Sequence, residues 1–388
     1  MKMTYVSDSV FFTDGKDYYC QIYFSPDEIV SLCPGVNHLF VVCRVRKMDP
    51  NGVYKKIQWS DCTVDFVNIE DGASGKLKQL KNTYDITKKL SRISDVSYLK
   101  FCFISSYIYG MNLKKVHKGK LYFSHMVGDP DCILAFSTSK VKKFALSVLN
   151  TIQKKCYAHI AKKMDLQIFV SNKLKEKYAV DCVKSVVVNE NRFREADIVD
   201  ISDIRKSAQA EPLKLLFVGR LSPEKRVSDL ISALQSLQGV SLNIVGDGPQ
   251  KAQLVELVQK NNLSDKISFL GRKAWGSELF SEMKKHHVLV LPSENEGLPL
   301  VIAEAMGCGL TVIASDVGGI PEIVKNEVNG LLFEKGNIEM LKAAIGRMTD
   351  DTFRYNLISE ALKTARDFSF ESQTKMLRNE LKDILREN

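Results

Sequence analysis

The segment Phe217–Val227, FVGRLSPEKRV, places Arg220 and Lys225 directly after an apolar run, on either side of a turn opened next to Gly219. Two fixed cations beside the start of a helix suit a diphosphate, because the helix dipole, the free N–H groups and the side chains all favour the same anion. The triphosphate loop G-x-x-x-x-G-K-[ST] does not occur. A second turn, VGDGP at Val245–Pro249, brackets Asp247 with Gly246 and Gly248. It lacks the third glycine of a dinucleotide fingerprint and reads as a tight strand-to-helix turn with room for close backbone approach to a ligand. The third segment, Leu291–Val324, sets Glu296 in a polar turn and Glu304 in a helix opening near Pro299, with seven residues between them. Carboxylates this near a phosphate site would repel the phosphates, so they are better suited to accept hydrogen bonds from hydroxyls, as carboxylates on ribose do in nucleotide-binding α/β sheets. The alternative is structural: Glu296 caps backbone amides and Glu304 is an exposed helix residue.

Other chemistry-bearing residues are isolated. His125 follows a strand predicted over Lys120–Ser124 and could hydrogen-bond a ligand hydroxyl or a developing charge, or be structural. Asp129-Pro130-Asp131 has the D-x-D form of a metal-binding pair but reads as a turn. His286 and His287 precede a predicted buried strand, at the end away from where ligands of parallel sheets bind. The nine cysteines, Cys20, Cys33, Cys43, Cys62, Cys102, Cys132, Cys156, Cys182 and Cys308, include no C-x-x-C. They are expected to be buried free thiols in a reducing compartment.

The elements that must position these residues alternate. Apolar runs at Leu213–Val218, Ser241–Val245, Ile267–Leu270, Val288–Leu291, Leu310–Ala314 and Leu331–Phe333 are separated by amphipathic stretches such as Ser228–Leu237 and Gln250–Asn261. That pattern means βαβ units, a parallel sheet and helices on both faces. In the N-terminal half the strand candidates are Leu39–Val45, Tyr98–Ser105, Lys120–Ser124, Gln167–Val170 and Ser185–Val188. The polar stretch Asp197–Pro212 is the expected linker. It separates an N-terminal domain, 1–205, from a C-terminal domain, 206–370, with a last helix of about 371–388 free to pack back on the first domain.

A length of 388 residues suits two domains. The absence of an export signal and of a long apolar span predicts a cytoplasmic protein. The net charge of +9 is uneven: 31 Lys+Arg face 21 Asp+Glu over residues 1–200, against 24 and 25 over the remainder. An acidic partner for the first half, or simply a solvated lysine-rich surface, would account for this. No nucleic-acid-binding module is recognisable. Lys142–Lys163 reads as a long basic helix on which Phe144, Val148, Ile152 and Cys156 share a face. That face could lie on an anionic membrane, on the inner leaflet, or dock on its own sheet.

Taken together, Gly219-Arg220…Lys225, Val245–Pro249, Phe269-Leu270-Gly271, Glu296-Gly297-Leu298-Pro299…Glu304-Ala305-Met306…Gly309, Asp316-Val317-Gly318-Gly319…Glu322 and Asn329-Gly330 resemble the C-terminal domain of family 4 glycosyltransferases. The resemblance implies a GT-B fold, α/β with two Rossmann-like domains facing a central cleft, and a retaining, metal-independent sugar transfer. It implies that Arg220 and Lys225 hold the donor diphosphate, Glu304 the ribose, and Glu296 the donor sugar. The backbone of Gly297, Leu298, Pro299 and Leu300 would meet sugar and phosphates, with Pro299 unable to donate an N–H where relatives have glycine. Gly246 would line the site, the backbone near Gly271 and Arg272 would flank the base, Gly15 would stand for a glycine-rich loop, and His125 would lie beside the transferred sugar. The expected donor is a UDP-sugar, or a GDP-sugar, with no other cofactor. The expected acceptor is a hydroxyl of a glycan or lipid-linked molecule in surface polysaccharide or glycolipid assembly. An epimerase of the same fold and a non-catalytic nucleotide-binding subunit are the alternatives. A NAD-dependent dehydrogenase is disfavoured by the missing third glycine and ribose acid.

Overall fold

The structure, a computed structural model, describes residues 1–21, 24–49, 54–70, 75–101, 104–113, 119–129, 140–204 and 212–387. It divides into two compact units, residues 1–188 with 374–388, and residues 189–373.

The first unit contains β1 (Lys2–Thr13), β2 (Tyr18–Cys20), β3 (His38–Lys47), β4 (Lys55–Lys56), β5 (Thr63–Asn68), β6 (Val96–Phe101), β7 (Leu121–Met126), β8 (Leu166–Phe169) and β9 (Ser185–Val187). The order β5-β3-β1-β6-β7-β8-β9 is parallel throughout, and β2 and β4 add an antiparallel edge. Alternate residues divide between two cores: Met3, Leu39, Val41 and Phe123 lie in one, Val6, Val42, Tyr122 and Met126 in the other. Strands covered on both faces are what a parallel sheet requires. Neither β1 nor β5 is among the strands predicted from sequence. The run Tyr98–Ser105 ends as a strand at Phe101, and a helix starts at Ile104.

The second unit carries β10 (Leu213–Val218), β11 (Val240–Val245), β12 (Ile267–Gly271), β13 (Val288–Leu291), β14 (Thr311–Ser315) and β15 (Leu331–Phe333) in the order β12-β11-β10-β13-β14-β15. All neighbours are parallel. Helices Val227–Leu234, Lys251–Lys260, Ser277–Met283, Val301–Gly307 and Ile338–Arg347 alternate with the strands. The chain winds outward from β10 to β12, then returns to β13 on the other side of β10. The loops after β10 and β13 therefore flank the point where the winding reverses, which is where ligands of open α/β sheets bind.

The predicted boundary shifts. Residues 197–204 of the expected linker, and residues 189–196 expected in the first domain, belong to the second unit: Val199 N–H bonds the Gly307 carbonyl at 2.9 Å, Phe370 N–H bonds Phe193 O at 2.8 Å, and Phe193 is fully buried in that unit's core. The remainder of the expected linker, 205–211, lies outside the described residues. In the terminal helix Phe370–Glu387, Leu377, Leu381 and Ile384 recur on one face and are buried in the core of the first unit. Lys184 pairs with Glu380 at 2.8 Å beside them.

The helix Lys140–Ala161 buries Asn150, Tyr157, Ile160 and Ala161. Phe144, Val148 and Ile152, the stripe expected to dock if the helix covers its own sheet, are exposed, as is Leu149. No helix among the described residues is long and apolar enough to cross a membrane. The thiols are more varied than expected. Cys20, Cys33, Cys43 and Cys308 are buried, but Cys62 and Cys156 are half-buried and Cys182 is exposed; Cys102 and Cys132 lie outside the described residues.

Candidate active site

Arg220 and Lys225 follow β10, and Glu296 and Glu304 follow β13, so all four come after two adjacent strands that flank the switch point. The loops are locked to each other through the backbone. Glu294 N–H donates to Glu224 O at 2.7 Å, Leu221 N–H to Asp247 O at 3.0 Å, and Gly319 N–H to Gly297 O at 2.7 Å. Such contacts leave no space for side chains. A Cβ on Gly246 would lie 1.8 Å from the Gly219 carbonyl oxygen, and one on Gly248 2.3 Å from Leu221 O. The glycines of Val245–Pro249 thus serve loop-on-loop packing in the first instance.

Lys225 ends a short turn, Pro223–Lys225, and its Nζ donates to Glu296 Oε1 at 2.6 Å. Ser293 Oγ donates to the same oxygen at 2.6 Å, and Glu296 keeps only 9% side-chain exposure. A partly buried pair of this kind is screened far less than a surface one. Arg220 is exposed; its carbonyl accepts the Ser222 N–H at 3.1 Å, and its charge acts on Glu224. Arg226, which sequence reading passed over, holds the frame. It adopts a left-handed φ of 49°, bonds Asp229 at 2.7 Å and Glu294 at 2.8 Å, and Lys335 pairs with Glu294 at 2.9 Å.

Glu304 is not an exposed helix residue. It is buried in the helix Val301–Gly307, which begins two residues after Pro299. Its Oε1 accepts the indole N–H of Trp275 at 2.9 Å, a partner that sequence reading missed. Burial raises its pKa above the usual 4.5, while the Trp275 hydrogen bond and the charge of Arg192 act in the other direction. The stability consequence follows in sign. An acid with a raised folded pKa binds its proton more tightly folded than unfolded, so its penalty is complete above the folded pKa and disappears as pH falls toward 4.5. Urea unfolding of wild type and Glu304→Gln as a function of pH should show wild type losing stability relative to the variant as pH rises through that window. A constant difference would contradict the assigned burial effect.

The remaining predicted residues are placed as follows. Gly271 ends β12 with φ 70°, and its carbonyl accepts Gly246 N–H at 2.8 Å; Arg272 is exposed beyond it. Leu298, Pro299 and Leu300 form the turn before Val301. Gly15 does not open a helix. It has φ 97° in the turn of the β1–β2 hairpin, where the Asp14 carboxylate accepts the N–H groups of Lys16 and Asp17 at 2.9 and 2.7 Å. These bonds hold the Asp14 pKa at about 2. His125 does not terminate its strand. It is buried within β7, and the Tyr98 hydroxyl hydrogen-bonds its Nδ1 at 2.6 Å. The Asp129 carboxylate accepts from Lys177 Nζ and the Tyr178 hydroxyl, each at 2.7 Å; Pro130 and Asp131 lie outside the described residues. His286 and His287 sit at the N-terminal end of β13, bonded to Glu282 O at 2.8 Å and Lys214 N–H at 3.1 Å.

Comparison with known proteins shows the family and the fold. The sequence profile described as glycosyl transferases group 1 matches residues 200–365. An uncharacterized glycosyltransferase of Methanocaldococcus jannaschii is 30% identical over 293 residues, covering 73% of this chain and 79% of that protein. The chain belongs to the group 1 glycosyltransferases. Among solved structures, the glycosyltransferase is similar to sucrose-phosphate synthase from Thermosynechococcus elongatus, with a TM-score of 0.71 over 100% of both chains at 19% identity. It is also similar to Anabaena HepE in complex with UDP and glucose, with a TM-score of 0.66 over 100% of both chains at 18% identity. At these identities the likeness is one of fold: the glycosyltransferase has the GT-B architecture of two Rossmann-like domains.

Proposed function

We propose that the second unit binds a nucleotide sugar and that the enzyme transfers its sugar, with retention and without a metal, to a hydroxyl of a glycan or lipid-linked acceptor in surface polysaccharide or glycolipid assembly. The observation that supports this reading is the bond from Lys225 Nζ to Glu296 Oε1 at 2.6 Å, which joins the loops that follow the adjacent strands β10 and β13. Arg220 and Lys225 take the diphosphate, Glu304 accepts ribose hydroxyls, and Glu296 lies by the donor sugar. The bond between the anomeric carbon and the diphosphate oxygen breaks, and the nucleoside diphosphate leaves with the electron pair. The acceptor oxygen bonds that carbon from the same face, and its proton passes to a diphosphate oxygen. A UDP-sugar is the preferred donor, in line with the UDP bound by HepE. An epimerase would need acid–base side chains at the site, and His286 and His287 lie at the other end of the sheet.

A thermal-shift panel of UDP, GDP, ADP, their sugar conjugates and NAD, with and without magnesium, tests the reading. Metal-independent stabilisation by one nucleoside diphosphate, lost in Glu304→Ala, is expected. Stabilisation by NAD alone, or by none, would remove it.

The exposed Phe144, Val148, Leu149 and Ile152 on a lysine-rich helix support peripheral contact with an anionic membrane. The full chain should sediment with anionic vesicles at low salt and lose that binding in a Phe144→Ser/Ile152→Ser double variant. Wild type left in the supernatant would count against membrane contact.

A further inference from the structure

We infer that Trp275 is a positioning residue for the nucleotide site: its indole N–H holds one oxygen of Glu304 and leaves the other to accept a nucleoside hydroxyl. This inference rests on the donor-site reading above and assigns a residue outside every motif that carries the family resemblance.

A buried carboxylate keeps its charge only where donors or cations answer it. Glu304 is 7% exposed, and Trp275 Nε1 donates to its Oε1 at 2.9 Å. Two ionisable groups bear on it electrostatically, Arg192 from the segment before the first turn of the unit and Cys308 further along its own helix. A carboxylate has about four lone-pair sites on two oxygens, so one indole leaves acceptor capacity unused. Oε2 is the atom left for a ligand.

The indole is itself held. Gly276, with φ 102°, turns the chain into the helix Ser277–Met283, and this fixes where Trp275 enters. The Trp275 ring meets Phe280 edge to face at 5.5 Å and 78°, and Phe280 meets Phe193 at 5.2 Å and 82°. Gly307, in the same helix as Glu304, makes room for Phe193: a Cβ there would lie 2.2 Å from its ring. A ladder of three rings thus runs from the core to Glu304. The outer ring keeps 40% exposure. It stands after β12, in the loop whose backbone would flank the base. Aromatic pairs of this geometry contribute beyond burial alone, which favours one indole orientation.

The experiment is a pH series of nucleotide binding by the full chain. UDP, GDP and ADP are titrated calorimetrically over about pH 4 to 8 into wild type, Trp275→Phe and Glu304→Gln. Wild-type affinity should fall as pH drops and Glu304 takes a proton. Trp275→Phe keeps a ring but loses the donor to the ionised form. The pH midpoint of binding should therefore move upward by on the order of one unit, about a tenfold loss of affinity on the acid side. Glu304→Gln should show no such midpoint. A second measurement leaves Trp275 intact. The chain has two tryptophans, so in Trp59→Phe the indole emission belongs to Trp275. That emission should change with pH at the binding midpoint and stay flat when Glu304→Gln is added. An unmoved midpoint in Trp275→Phe, or emission indifferent to Glu304, overturns the positioning role while nucleotide binding by wild type keeps the donor site. Wild type that binds none of the three nucleotides overturns both.

Discussion

Replacing Lys225 with alanine is expected to lower sugar transfer about 10²–10³-fold, the usual effect of removing one fixed charge aimed at a developing anion. Lys225 Nζ lies on Glu296 Oε1 at 2.6 Å, and Ser293 holds the same oxygen. In the proposed arrangement the substitution removes a cation for the departing diphosphate and also leaves a nearly buried carboxylate facing it. Both changes raise the barrier. Arg220→Ala should have a similar kinetic effect with a smaller structural one, because the Arg220 side chain is exposed and the substitution keeps the carbonyl that Ser222 N–H bonds. Turnover of a nucleotide sugar with each variant, with melting temperature as the control, separates lost chemistry from lost fold. Near-normal turnover in both variants would mean that the diphosphate sits elsewhere.

A single methyl group at Gly318 should strongly destabilise the second unit. The residue has φ 57°, and a Cβ there would lie 1.8 Å from the carbonyl oxygen of Glu296. That oxygen is backbone and cannot rotate away. Gly318→Ala must move the loop that carries Glu296, and the strained φ adds to the cost. A loss of about 3–5 kcal/mol is expected, roughly 6–20 °C in melting temperature for a unit of this size. Calorimetry reads it directly. A shift within the range of ordinary surface substitutions would show that the loop after β13 yields more easily than its contacts indicate.

The second unit was more legible in sequence than the first, and the reasons are physical. Its six strands are short, mostly apolar runs, because a doubly covered parallel sheet needs continuous apolar strands. The first unit hides its central strand. In β1 the run is broken at Ser7, Asp8 and Ser9, where the pairing with β3 shifts register between Val6 and Val10. Ser105 bonds the Asp8 carboxylate and Arg44 its carbonyl, so polar groups that look like a loop are satisfied inside a strand. Gly15 was misleading for the opposite reason. A glycine after a first strand suggests a phosphate loop, yet here the strand continues into a hairpin. Arg220, Lys225 and Glu296 stood out in the sequence because each lies in a loop after a strand, and Glu304 because it sits in the helix beyond that loop. Trp275 did not, because its bond to Glu304 joins residues 29 positions apart and no periodicity marks such a pair. His125 was read as the residue after its strand, whereas it lies within β7 and bonds Tyr98 on the neighbouring strand; strand pairing is not written in either segment alone.

The terminal helix has a consequence for how the chain is made. Leu377, Leu381 and Ile384 complete a core whose other members are all drawn from residues 3–188. During synthesis the first unit emerges early yet lacks that helix, while the second unit, 189–373, leaves the ribosome with its sequence whole. The order of completion is then the reverse of the order of emergence. The apolar floor that awaits these three side chains stays open to solvent for as long as the ribosome takes to add the intervening unit. That interval, on the order of tens of seconds at usual elongation rates, is when the nascent chain is most exposed to chaperone capture or aggregation.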